Sequence, residues 1–209
     1  MIDLLYVVPC KIDNQNHLSS LKNCINSIKK FINENEKIFL VDSNSSLKYE
    51  FDDNDIIIHD KTNFNYEVGA LFCAYENIKA NKYLLIHDSC ELLDNIKDYK
   101  KFNISIYNYV NDWTGCDELL EQKIKEKVPL TKWKIIPNNF KCIVGSIMLI
   151  DNALLNMFYN ELKNILPENK YESMVFERLF GIGLKYENFE DELITNKKLP
   201  IVKHYLRRQ

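Results

Sequence analysis

The sequence predicts an α/β fold: a Rossmann-like, mostly parallel central sheet with helices on both faces, followed by a mixed C-terminal half. Three observations carry this. Asp3–Pro9, Lys37–Asp42, Asp55–His59 and Tyr83–His87 are short apolar runs without polar alternation, which is how strands buried on both faces read. Segments with apolar residues at helical spacing separate the first two runs and the last two. Each run ends in polar residues, as strands do when their carboxyl ends border a ligand crevice.

The elements follow in order. Asp3–Pro9 is the first strand. Leu18, Leu21, Ile25, Ile28 and Phe31 share one helical face, which predicts a helix over Asn16–Asn33. The run IFLVD makes Lys37–Asp42 the second strand, and DIIIH makes Asp55–His59 the third. Tyr66, Ala70, Ala74 and Ile78 mark a second helix, and YLLIH is the fourth strand. Beyond residue 95 the pattern loosens. Ile104–Val110 and Ile143–Ile150 read as strands, the latter containing Gly145, while Asp117–Lys127, Asn152–Ile165 and Glu172–Leu184 read as helices. The chain has no internal repeat, low-complexity run or Gly/Pro linker. One domain over residues 1–209 is expected.

Charge and composition remove several function classes. A net charge of −3 offers no basic excess for phosphate backbones, so nucleic acid is not an expected partner. No run approaches the length of a membrane span, and Asp3 interrupts the N-terminal apolar stretch before it could serve as a signal segment, so a cytoplasmic protein is expected. The six cysteines form no CxxC pair and read as reduced, buried thiols. There is no GxGxxG after the first strand and no GxxxxGK[ST], which argues against dinucleotide-binding dehydrogenases and P-loop enzymes.

The strand tips supply the candidate site. They are Pro9-Cys10-Lys11, Asp42-Ser43-Asn44-Ser45, His59-Asp60 and His87-Asp88-Ser89. If the first, second and fourth strands are neighbours, Asp42 and Asp88 face one crevice. An Asp after a strand also serves as a turn former or helix cap, so either carboxylate alone has a purely structural reading.

Taken in order, these segments resemble the GT-A glycosyltransferases. MIDLLYVVPC and IFLVDSNSS match their opening strand and the strand that ends in an acidic residue. NFNYEVGALFCAYEN, Asn63–Asn77, is similar to their next helix, in the version found in family 2-like transferases of the rhamnan-synthesis type. YLLIHDSCEL stands where these enzymes carry an Asp-x-Asp metal motif or its Asn-Asp-Ser variant. The resemblance covers residues 1–95, while VGSIMLID and YESMVFER agree in order and type only.

The resemblance implies a nucleotide-sugar-binding half at 1–95 and an acceptor-binding half at 96–209, with a nucleoside-diphosphate sugar as donor, a glycan or other hydroxyl acceptor, and Mn²⁺ or Mg²⁺ as cofactor. It implies that Asp42 binds the nucleobase or ribose and that Glu67 helps hold them. Gly69 lets the helix approach closely, and Pro9 and His87 complete the donor-binding set. Asp88 would bind the metal, with His204 as a further ligand, and Glu172 would deprotonate the acceptor of an inverting enzyme.

Two departures matter: the Asp-x-Asp motif is reduced to Asp88, and Ser43-Asn44-Ser45 replaces the usual second acid after Asp42. Imidazole suits Mn²⁺ better than Mg²⁺, so a His-assisted Mn²⁺ site fits the residue types, and metal-independent binding is the other reading.

The chemistry fits these residue types. Glycosyl transfer passes through an oxocarbenium-like transition state. The departing diphosphate gathers negative charge, and the acceptor hydroxyl needs a base. Glu172 also reads as a helix-start carboxylate favoured by the helix dipole, Glu177-Arg178 as a structural ion pair, and His204 as a surface histidine. Tyr107–Trp113 offers rings that could stack on a sugar or pack in a loop. Two alternatives stand beside the transferase: a non-enzymatic module that keeps the fold and binds nucleotide or glycan, and a sugar nucleotidyltransferase, whose Gly-rich loop VVPCKIDNQNH lacks.

Overall fold

The computed structural model describes residues 1–60, 66–107, 109–110, 118–143, 147–195 and 198–204. Its first half alternates strand and helix: β1 (Ile2–Cys10), α1 (Gln15–Lys29), β2 (Glu36–Asp42), β3 (Ile56–Asp60), α2 (Tyr66–Asn77) and β4 (Ala80–Leu85). The second half is mixed: β5 (Cys90–Leu92), β6 (Ile104–Ile106), β7 (Tyr109–Val110), α3 (Glu118–Lys127), β8 (Cys142–Ile143), β9 (Met148–Asp151), α4 (Asn152–Leu162), α5 (Lys170–Tyr186), α6 (Glu190–Thr195) and β10 (Ile201–Lys203).

The main sheet has the order β3-β2-β1-β4-β9-β6. The first four strands are parallel, and β9 runs antiparallel to both β4 and β6. Two short antiparallel pairs, β5 with β10 and β7 with β8, stand apart from it.

Side-chain alternation divides the core into two. Leu5 and Val7 of β1, with Phe39, Val41, Tyr83 and Leu85, pack beneath α2, α4 and α5. Leu4, Tyr6 and Val8, with Ile38, Leu40 and Leu84, pack against α1 and the β5–β10 pair. Both faces of β1 are covered, which explains its unbroken apolar run. Burial of Glu36, only 1% exposed, is tolerated because it accepts from Tyr6 Oη (3.2 Å) and Asn33 Nδ2 (2.7 Å) and pairs with Lys100.

Helix boundaries follow their caps. Asn14 accepts from His17 N, Asp151 from Leu154 N and Asn169 from Glu172 N, so α1, α4 and α5 start where a side-chain oxygen satisfies a free N–H. The expected strand Ile104–Val110 is instead two short strands in different sheets. The expected strand Ile143–Ile150 is likewise divided between β8 and β9, and its Gly145 lies outside the described residues. Most of the aromatic stretch Tyr107–Trp113 also lies outside them, as does Cys116. The five cysteines that are described are buried thiols. Among the described residues no helix is long and apolar enough to cross a membrane.

Candidate active site

Because β1 lies between β2 and β4, the tips of all three meet at one edge of the sheet. Pro9 helps end the ladder there. Val7 O accepts from Ile86 N on the β4 side (3.0 Å), and Cys10 O accepts from Ser43 N on the β2 side (2.9 Å). By strand alternation, the missing N–H of Pro9 faces β4 just past its last partner, and residues after Ile86 are free to leave the sheet.

Asp42 ends β2 and is 8% exposed. Its Oδ1 accepts from Ser45 N (3.0 Å) and Ser45 Oγ (2.6 Å), and its Oδ2 from Tyr49 Oη (3.1 Å). Ser45 Oγ also receives Ile12 N at 2.6 Å, joining the β1 and β2 exits. This turn, with Asn44 in the left-handed region at φ 58°, walls a cleft of about 420 Å³ lined by Asp42, Asn44, Ser45, Lys48, Tyr49 and Asp60. Tyr49 Oη also touches the buried Cys10 thiol (3.3 Å). Burial pushes that thiol up to about 12; the Tyr49 contact opposes this, and Asp42, Asp88 and Asp60 add to it.

The exit of β4 is pinned from two sides. Ser20 Oγ of α1 donates to Asp88 O (3.2 Å), Cys90 N to His87 O (3.0 Å), and His204 N, just after β10, to Ser89 O (2.8 Å). Burial raises the Asp88 carboxyl to about 6, against His17, Ser89 N and Lys203; Glu67 reinforces the rise.

Glu67 opens α2 and approaches His87, its Oε1 3.9 Å from Nε2. It also meets Lys170 Nζ (3.6 Å) and accepts from Ser173 Oγ (3.3 Å), both on α5. Burial works to raise the Glu67 carboxyl, but His87, Lys170, its own backbone N–H and Ser173 together hold it below the usual carboxylate range. Gly69 is buried in the same first turn. Tyr66, which starts α2, has φ 63°, a strained value for a bulky residue of the kind that gathers at functional sites.

The remaining candidates sit as follows. Glu172 turns toward α3, where its Oε2 accepts from Glu168 N (3.0 Å) and meets Lys127 Nζ (3.5 Å). Its neighbour Ser173 faces Glu67, so one helical turn serves two directions. His204 Nε2 lies 3.1 Å from Glu91 Oε1, on the far side of β10 from the preceding Lys203. Glu177 and Arg178 pair at 3.0 Å. Among the described residues no three His, Cys, Asp or Glu donors converge on a metal position. The donor set fits a divalent ion only if Asp88 shares it with phosphate oxygens of a ligand.

Tyr49, Lys170 and Lys203 were missed from sequence, and Ser45 was read only as part of the tip that follows Asp42. Ser45, three residues after Asp42 at a strand end, carried a usable signal for an Asp-anchored turn. The two lysines carried none.

No family model matches the chain, and neither does any curated protein. Solved structures do. Staphylococcus aureus TarS, residues 1–349 in complex with UDP, superposes with a TM-score of 0.52 at 14% identity, over 86% of this chain and 54% of that one. A second structure of the same TarS segment gives 0.50 at 11% identity, over 84% of this chain and 55% of that one. The chain has the GT-A fold. At these identities the likeness is one of fold, and the chain spans little more than half the length of the TarS segment. In GT-A terms, residues 1–95 form the strand-and-helix half that bears Asp42, Glu67 and Asp88.

Proposed function

We propose that the protein is a glycosyltransferase that moves a sugar from a nucleoside-diphosphate donor to a hydroxyl of a glycan or other acceptor. The observation that carries this is the Asp42 cleft, open at the strand exits of a GT-A fold and lined by Asp42, Ser45, Tyr49 and Asp60. A nucleoside fits the cleft's size and polarity, with Asp42 accepting from ribose hydroxyls or the base. UDP is bound by TarS in the similar structure, and it is the first nucleotide to try. A nucleotide-sugar donor points to the cytoplasm as the compartment. Residues 96–209 would serve the acceptor.

In the proposed reaction the sugar C1–O bond to the diphosphate breaks and the acceptor oxygen bonds to C1. The acceptor proton passes to a carboxylate, and the nucleoside diphosphate leaves. Glu172 is the proposed base; it starts from an ion pair with Lys127, which it must relinquish to reach an acceptor. Glu67 and His87 would fix the donor's position from the α2 side, with Gly69 allowing close approach and Pro9 shaping the floor. A divalent ion, Mn²⁺ or Mg²⁺, would be held by Asp88 and donor phosphates and would supply charge neutralisation. His204 is a proposed ligand only if it leaves Glu91.

The test is donor turnover. Wild-type protein with UDP-, GDP-, CDP- and dTDP-sugars should release nucleoside diphosphate from one class, and Asp88→Ala should abolish release. A non-enzymatic binding module would bind nucleotide without turnover by either protein. The anomeric configuration of the product tests the base: inversion is expected, and retention would remove Glu172 from that role.

A further inference from the structure

Lys203 is the last residue of β10, opposite Cys90 in the antiparallel pair with β5. Strand alternation sends its side chain to the face opposite that of His204. His204 reaches Glu91, while Lys203 Nζ lies 3.5 Å from His87 Nδ1. An ammonium has no lone pair, so Lys203 is the donor of this contact. Lys203 is partly buried, and no carboxylate of the described residues lies within ion-pair distance of it. Its charge nonetheless reaches both Asp88 and Cys90.

A lysine held at a strand-exit crevice by an imidazole, with no carboxylate of the described residues within ion-pair distance, is placed to receive an anion. Only β1 separates the tip of β2, where the Asp42 cleft is of a size for a nucleoside, from the exit of β4, so the anion expected beside Asp88 is the phosphate end of the same ligand. We propose that Lys203 binds the diphosphate of the donor, supplying from the C-terminal strand the positive charge that the shortened acidic motif at Asp88 does not secure. The proposal rests on the nucleotide-sugar reading above and deepens it. On this account β10 is part of the donor site, and the protein retains phosphate affinity without added metal.

The test compares UDP, uridine and inorganic pyrophosphate by titration calorimetry in EDTA, using wild type, Lys203→Met and Lys203→Arg, all checked for equal melting midpoints. Wild type should bind UDP about ten-fold or more tighter than uridine, the size expected of a charge-assisted contact. Lys203→Met should erase that difference while leaving uridine binding intact, and Lys203→Arg should keep most of it. An unchanged UDP-to-uridine ratio in Lys203→Met would overturn the proposal. If wild type binds no nucleoside diphosphate but binds pyrophosphate through Lys203, the anion site stands and the donor reading fails. If it binds neither, both fail.

Discussion

Glu67 Oε1 lies 3.9 Å from His87 Nε2, and this pair ties the first turn of α2 to the residues leaving β4. It sits within a longer chain of contacts: Lys203 reaches His87 from β10, and Lys170 and Ser173 reach Glu67 from α5. Four elements distant in sequence thus converge on two side chains, and the edge of the crevice depends on the Glu67 charge.

Glu67→Gln tests that dependence. The folded protein holds this carboxyl below its ordinary range, so its stabilising contribution is present above the unfolded value of about 4.3 and is lost as pH falls through the lower folded value. The substitution should cost about 1–3 kcal/mol at pH 7, or roughly 2–4 °C of melting midpoint per kcal/mol. The deficit should shrink toward pH 4. Melting curves of both proteins across pH 4–8 measure it.

Asp88→Asn should show the opposite sign. Burial raises the Asp88 carboxyl to about 6. The stability tied to its protonation is therefore complete below the unfolded value of about 3.9 and is lost as pH rises through about 6. Removing the charge should raise the melting midpoint above pH 6, and the gain should vanish near pH 4. The same variant should lose turnover, a trade of stability for function. Equal midpoints at all pH values would contradict the buried placement of Asp88.

Asp42 and Ser45 act as one unit, since Ser45 Oγ bridges Asp42 and Ile12 N. Asp42→Ala and Ser45→Ala should each cost about 1–3 kcal/mol in urea unfolding. The double variant should cost less than their sum, because either change alone dismantles the same turn. Additive costs would show that the two side chains stabilise independently.

The first half of this fold was legible in the sequence because local signals and tertiary outcome agree there. The uninterrupted run around Val7 and Val8 reflects burial on both faces, and Asp42 and Asp88 stand at strand tips that neighbouring strands bring together. The second half was less legible. β6 to β9 are two to four residues long, too short for a hydrophobic period, and their pairing is set by contacts across long stretches of chain. Lys203 illustrates the limit in the site itself. Nothing in IVKH distinguishes it from other lysines until β10 pairs with β5.

Two glycines of α5 show the same dependence on distant neighbours. A Cβ on Gly181 would stand 2.2 Å from Lys141 O, and one on Gly183 would stand 2.4 Å from Trp133 Cζ2 and 2.5 Å from Phe158 Cε1. Alanine's helix preference, worth about 1 kcal/mol, is outweighed by overpacking that costs about 1–3 kcal/mol or more. Both substitutions should lower the urea midpoint. Gly181→Ala should do so more, because a backbone carbonyl gives way less readily than a ring.

The measurement closest to the central claim is calorimetric titration of UDP, GDP, CDP and dTDP into wild type and Asp42→Ala. The account predicts that one of the four binds wild type and that Asp42→Ala loses most of that affinity. Binding of none, or binding undiminished in Asp42→Ala, would contradict the assignment of this cleft as the donor site.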